Sequence, residues 1–360
     1  MIYLHVPFCR SFCIYCSFYS ELACKGKDAE LFCSWADGVI AEMHSRREEI
    51  GATLDLNTLY IGGGTPSVLP LSVLEKVVCA LEEFSGRGPE SGRRYKEFTI
   101  EVNPEDIVEK GPGYVGGLVS LGVTRVSMGV QSLDDGILRW MNRRHDAAAA
   151  REAFRMLSGY ADTDTGGLQF SVDLITGVPG MDMEILGRTL DEVISWRPDH
   201  ISAYQLGVDE GSVLEEMISR GEVLELEEEE CRKQYELVCA RLKDAGYHHY
   251  EISNWALPGC EAVHNSAYWT RHPYVGLGPG AHSLLGERRS WNSHQLSGWT
   301  SSGETLSPEE IREERIMLGL RTDLGADVPE GDDGAQHAFR HVVIPESDWF
   351  VADDIIAGII

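Results

Sequence analysis

The chain is short of positive charge. Lys and Arg total 31 against 58 Asp and Glu, giving a net charge of −27 over 360 residues. This balance disfavours a bulk polyanion partner such as nucleic acid, whose affinity rests on Lys and Arg at phosphates. It fits a soluble, self-repelling surface. Long apolar runs are also missing. None approaches the ~18 residues of a membrane span, so no integral span is expected. The N-terminus has no basic stretch leading into an apolar one, and no secretory signal is read there. A disulfide framework is missing too: the nine cysteines are odd in number, and most are scattered. That usage points to a reducing compartment and a cytoplasmic protein. Cys24, Cys33, Cys79, Cys231, Cys239 and Cys260 read as mostly buried thiols, because free Cys behaves as a small apolar residue.

What is present in concentrated form is a trio of thiols. Cys9, Cys13 and Cys16 lie within eight residues, spaced C-x3-C-x2-C, just after the short apolar strand pattern Ile2 to Val6. Three sulfurs are one too few for a closed tetrahedral zinc site or a cluster held by four cysteines. On a four-iron cluster they would leave one iron open to a small molecule. The spacing alone equally admits a three-cysteine zinc loop with a remote fourth ligand, or reduced thiols without metal.

The hydrophobic content of 43% is enough for a substantial core, and the length suits one large α/β domain plus an appendage. Strand patterns begin near Ile2, Thr58, Phe98, Arg125, Phe170 and His200. Helical patterns lie between them, as at 29–50, 71–84, 112–121, 134–142, 146–158 and 183–196. Alternation of this kind predicts βαβ units and a parallel sheet. A polar, Gly-rich loop is read over 85–94. The Cys loop, the turn Gly62-Gly-Gly-Thr-Pro, Glu101 with Asn103, Gln131 and Asp173 all fall at or beyond the C-terminal halves of successive strands. That edge is where parallel α/β proteins bind ligands. After Leu206 the pattern changes. Helices are expected at 212–220, 226–245 and 308–321, separated by an aromatic, Gly-rich region. The tail from 325 reads as loop with at most a short helix. The boundary divides the chain into a core, 1–210, and a C-terminal accessory domain, 211–360.

The Cys loop, with an aromatic before its last Cys, resembles the radical SAM superfamily. The phrases Gly62-Gly-Gly-Thr-Pro, Ile100-Glu-Val-Asn-Pro, Val126-Ser-Met-Gly-Val-Gln, Asn142-Arg-Arg-His and Val172-Asp-Leu-Ile-Thr-Gly-Val-Pro narrow this to the oxygen-independent coproporphyrinogen III oxidase group. The resemblance runs from about residue 2 to 322. Within the group, coproporphyrinogen dehydrogenases carry an N-terminal extension and a further Cys two residues after the triplet. Here that position is Phe18, and the chain starts almost at the first strand. His264-Asn-Ser-Ala-Tyr-Trp matches the HNxxYW phrase of the HemW-type haem chaperones, so the chain is more similar to that branch.

The resemblance implies an α/β fold, a partial (βα)6 radical SAM barrel with a C-terminal accessory domain. Against the winged-helix region of many relatives, that domain reads as shortened or diverged. It implies a [4Fe-4S] cluster on Cys9, Cys13 and Cys16, with S-adenosylmethionine chelating the open iron. Tyr3, Tyr15, Gly63, Gly64, Thr65, Glu101, Gln131, Arg143 and Asp173 match family positions around that cofactor. His264, with Tyr268 and Trp269 beside it, is the candidate haem contact, and His282 the weaker one. The partners implied are haem, a haem-accepting protein and an electron donor of the flavodoxin or ferredoxin kind. No catalytic side chain is assigned. The alternative activity is that of a coproporphyrinogen III dehydrogenase, a radical oxidative decarboxylation in porphyrin biosynthesis.

Overall fold

The computed structural model describes residues 1–85, 95–161, 167–330 and 338–360. The loop read over 85–94 falls outside them apart from Ser85, which ends the helix Leu71–Ser85. Six strands run parallel and in chain order: β1 (Ile2–Val6), β2 (Thr58–Gly63), β3 (Glu97–Val102), β4 (Arg125–Gln131), β5 (Gln169–Thr176) and β6 (His200–Gln205). They sit where the sequence pattern places them. Three later strands, β7 (His248–Glu251), β8 (Asn254–Ala256) and β9 (Val275–Leu277), extend the same sheet to nine. β9 joins β1 in parallel, while β8 pairs antiparallel with β6 and β7 with β8. The sheet therefore crosses the 210/211 division, and among the described residues no ladder joins its two edges.

The strands alternate strictly, which is unusual for a parallel sheet covered by helices on both faces. One face carries Ile2, Leu4, Val6, Leu59, Ile61, Phe98, Ile100, Val126, Met128, Val172 and Ile201, all buried under the helices. Each such side chain contributes ~1.5–3 kcal/mol by leaving water. The other face carries Tyr3, His5, Tyr60, Thr99, Glu101, Ser127, Ser171, Asp173 and Ser202. Register sets these inward groups side by side: Tyr3 opposite Tyr60, Glu101 opposite Ser127, and Asp173 opposite Ser202. A period of two thus separates an apolar outer core from a polar interior.

The C-terminal region is fastened to the first helix, Ala29–Ser45, by a buried carboxylate. Glu42 accepts from the Gly278 N–H at 2.8 Å, Asn292 Nδ2 at 2.8 Å, Trp299 Nε1 at 3.0 Å and Arg46 Nη1 at 3.1 Å. Arg46 in turn donates to the Gly276 carbonyl at 2.8 Å. A charge so well partnered is costly to break on one side.

Two expectations fail. The tail is not mainly loop: β10 (Ala326–Glu330) pairs antiparallel with β11 (Ala338–Val342), and a short helix spans Ala352–Ala357. Ile316, Leu320, Ala326, Ile344, Trp349, Ala352 and Ile356 form a separate apolar cluster there. Ile316 and Leu320, and likewise Trp349, Ala352 and Ile356, keep helical spacing, but their two stretches are brought together only by the fold. The scattered cysteines also differ. Cys24, Cys33 and Cys79 are exposed and only Cys231 is buried, with Cys239 and Cys260 between. Cys33 and Cys79 lie on the solvent sides of their helices, where one polarisable atom costs little.

Replacing Glu42 with Ala should lower unfolding free energy by ~3 kcal/mol, read by urea denaturation. A loss below ~1 kcal/mol would show that the four donors find water instead.

Candidate functional site

The Cys loop is built by local closure. Phe8–Cys9 pairs in parallel with Glu21–Leu22, so the chain leaves β1, loops out and returns beside itself. The Glu21 N–H donates to the Pro7 carbonyl at 2.7 Å and the Ala23 N–H to the Cys9 carbonyl at 2.9 Å. Two distant segments, at Asn142 and at Asp209 to Leu214, then hold the loop. Asn142 Nδ2 donates to the Phe12 carbonyl at 2.7 Å, the Leu214 N–H to the Ile14 carbonyl at 2.8 Å, and Ser17 Oγ to Asp209 Oδ2 at 2.7 Å. All three cysteines line one cavity of about 580 Å³ at the C-terminal ends of the strands. Burial pushes the Cys9 thiol above its ordinary range, against the Thr65 hydroxyl. Thiols grouped this way release their protons to a metal rather than to water.

A chain of hydrogen bonds links the cysteines to the strand ends. Cys9 Sγ lies 3.4 Å from Thr65 Oγ1, and Asn103 Nδ2 donates to that oxygen at 3.2 Å. Arg143 Nη2 donates to Asn103 Oδ1 at 2.6 Å and to the Gly129 carbonyl at 2.9 Å, while Nη1 reaches Cys13 Sγ at 3.3 Å. Arg143 Nε is buried and has no hydrogen-bond partner among the described residues. Arg143 lines the cavity as a buried cation, and a guanidinium there suits a ligand carboxylate.

The glycines serve close packing. A Cβ at Gly64 would stand 2.9 Å from the Phe8 backbone, and one at Gly63, where φ is +111°, would stand 2.6 Å from the His5 ring. The turn after β2 can therefore pass under the Cys loop only without side chains. At β4 the register shifts between Gly129 and Gln131, and Gln131 takes φ +65°. This bulge turns the Gln131 side chain towards Arg143 and Asn103 over Gly129.

Two carboxyl groups face the same cavity. Glu101 accepts from the Tyr60 hydroxyl at 2.7 Å and from the Gly63 N–H at 3.1 Å. Asp173 accepts from Ser127 Oγ at 2.8 Å. Burial pushes the Glu101 carboxyl up to about 7, against the Tyr60 hydrogen bond and aided by Asp173. Burial also raises Asp173, against Ser202 and Ser127. Two desolvated carboxyl groups sharing a cavity fit a cationic ligand or ribose hydroxyls. Thiols, a carboxylate-binding Arg and two acids together fit a sulfur-ligated cluster with a zwitterionic, sugar-bearing ligand on it.

Cys9, Cys13, Cys16, Tyr15, Gly63, Gly64, Thr65, Glu101, Gln131, Arg143 and Asp173 are all brought to this cavity. Tyr3 is not: its hydroxyl bonds His5 Nδ1 at 3.0 Å and its ring leans on Tyr60 beneath the site. His264 is not either. It is fully buried at the opposite end of the strands, with Nδ1 2.9 Å from Thr58 Oγ1 and Nε2 3.1 Å from the Tyr268 hydroxyl. Glu97, ion-paired with Arg125 at 3.3 Å, accepts the Val263 and His264 N–H groups, each at 2.8 Å. The HNxxYW helix thus closes the base of the barrel, and both ring nitrogens of its histidine are engaged. Sequence reasoning missed Tyr60, Tyr204 and Asn265, which do line the cavity. Tyr60 and Tyr204 occupy inward positions of the strand alternation, which is the signal that finds them.

Residues 3–193 match the model of the Radical SAM superfamily. A Mycobacterium tuberculosis protein named heme chaperone HemW is 33% identical over 340 residues, covering 90% of this chain and 82% of that protein. The HemW of Synechocystis is 32% identical, covering 90% and 78%. Among solved structures, the coproporphyrinogen III oxidase HemN of Escherichia coli superposes with a TM-score of 0.71 at 19% identity, covering 89% of this chain and 75% of that one. HemN shares the α/β radical SAM fold; the likeness at that identity speaks to fold alone. On the superfamily match and the HemW relatives together, this chain belongs to the radical SAM superfamily and, within it, to the HemW family.

Proposed function

We propose that the chain is a haem chaperone that holds a [4Fe-4S] cluster and S-adenosylmethionine, binds haem and delivers it to an acceptor protein. The observation that carries this reading is the match to HemW proteins along 90% of the chain. Phe18, 68% exposed at the cavity mouth, adds to it. A phenylalanine stands there where the decarboxylating relatives have another Cys. The reading places the protein in the cytoplasm. No helix among the described residues is long and apolar enough to cross a membrane.

Cys9, Cys13 and Cys16 would hold the cluster. Arg143 would take the carboxylate of S-adenosylmethionine, Glu101 and Asp173 its ammonium and ribose, and Tyr15 would close the loop over it. When bound, the cluster supplies one electron at an open iron, drawn from a flavodoxin or ferredoxin-like donor. The protein's part is to position and desolvate the ligand. For haem, the structure favours His282 and His294 over His264. Both are exposed, and each lies against a flat ring: Trp291 at 6.2 Å and Tyr19 at 4.7 Å between centroids.

Haem titration should give a saturable Soret change. It should weaken about tenfold or more when His282 and His294 are both replaced by Ala (~1.4 kcal/mol). Folded His264→Ala should bind as the wild type does. No saturable change, or none affected by the double replacement, would count against the reading. Protoporphyrinogen formed anaerobically from coproporphyrinogen III would instead favour the dehydrogenase.

The Glu101 carboxyl gives a pH test. Its folded value lies above the ordinary range, so below about 7 it is largely protonated in the free protein. A cationic ligand must then expel that proton. Affinity for S-adenosylmethionine should rise between pH 6 and 8 and level off above. Calorimetry of Glu101→Gln should show a flat profile and about tenfold weaker binding at pH 8.

A further inference from the structure

Away from the cavity, three metal-binding side chains meet at the far sheet edge. Cys239 comes from the helix Glu228–Asp244, His249 from β7 and Glu346 from the tail. A thiol sulfur, a ring nitrogen and a carboxylate oxygen lie within 4.8 Å of one another. His249 Nδ1 stands 3.1 Å from Glu346 Oε1, and Nε2 stands 3.4 Å from the Ile252 carbonyl oxygen.

Both ring nitrogens therefore face acceptors. A neutral imidazole has a single N–H, so one nitrogen would set its lone pair against an oxygen's. An imidazolium would satisfy both contacts. Yet the side chain is 4% exposed, stacked on Trp255 at 4.0 Å and edge-on to Trp349 at 4.4 Å. Burial between two indoles disfavours the charged ring. A metal ion on Nδ1 removes the conflict, because Nε2–H then donates to the carbonyl, as metal-bound histidines usually do. The spacing agrees. Two ligand atoms at Zn–N and Zn–O bond lengths, set at a tetrahedral angle, lie about 3.3 Å apart.

We propose that Cys239, His249 and Glu346 form a zinc site that fastens the tail to the sheet. A thiolate, an imidazole and a carboxylate suit Zn²⁺ rather than Ca²⁺ or Mg²⁺. Cys239 coordinates as the thiolate, and its proton passes to solvent. Glu346 is 39% exposed, so the fourth position opens to water. Lys243 Nζ, 3.5 Å from Glu346 Oε2, approaches the oxygen turned away from the histidine. The site would reinforce a junction that the apolar tail cluster and the Glu346 contacts to His249 and Lys243 already make.

The test uses the full chain reconstituted anaerobically, so that iron occupies the other thiols, then equilibrated at micromolar free Zn²⁺ and analysed for both metals. About one zinc per chain is expected, falling several-fold in Cys239→Ser and in Glu346→Gln while iron is unchanged. Co²⁺ in place of zinc should give a thiolate charge-transfer band that Cys239→Ser lacks. Iron and zinc are read separately, so failure of the cluster reading is distinguishable. Zinc well below one per chain, or zinc and the cobalt band unchanged in both variants, would overturn the proposal.

Discussion

A parallel sheet that turns polar side chains inward has to satisfy them without bulk water. That requirement organises this molecule. Inward residues of β2, β3, β4 and β5 pair with one another, as Glu101 with Tyr60 and Asp173 with Ser127. At the C-terminal edge the pairing is incomplete: Arg143 keeps an unused donor, and two carboxyl groups are held near or above their ordinary range. The three thiols arrive at the same edge. Outward residues, nearly all apolar, secure the helices and so hold this interior in register.

The opposite end of the strands is closed by protein, although Arg125 Nε and Nη1 are buried there without a hydrogen-bond partner among the described residues. Glu97 and Arg125 close on the Val263–Trp269 helix, and His264 spends both nitrogens on Thr58 and Tyr268. One end is a plug and the other a site. The difference is that a helix covers one end, whereas thiols and carboxyl groups line a cavity at the other. The tail follows a third logic, with a small apolar cluster of its own and the Cys239, His249 and Glu346 trio where it meets the sheet.

Much of this could be read from the chain, for identifiable reasons. The six strands announce themselves by a period of two, and the ligand edge follows from where Gly62 to Thr65, Glu101, Gln131 and Asp173 fall along them. The place of His264 at the base of the strands is not legible in its phrase, which reports residue types, whereas its engagement depends on Thr58, 206 positions away. Asn103 was visible at the edge, yet its role as the link between Thr65 and Arg143 needs three dimensions. Tail elements escaped because the apolar cluster joins stretches far apart in sequence, from Ile316 to Ile356. The exposure of Cys33 and Cys79 escaped because a thiol's type does not fix its helix face.

The central claim is that Cys9, Cys13 and Cys16 leave one iron open beside Arg143, Glu101 and Asp173. The most direct measurement is electron paramagnetic resonance of the anaerobically reconstituted, reduced protein before and after adding S-adenosylmethionine. The account predicts a [4Fe-4S] signal that shifts on addition, with the shift weakened in Arg143→Ala and no cluster formed in Cys13→Ser. A cluster signal indifferent to S-adenosylmethionine would contradict it.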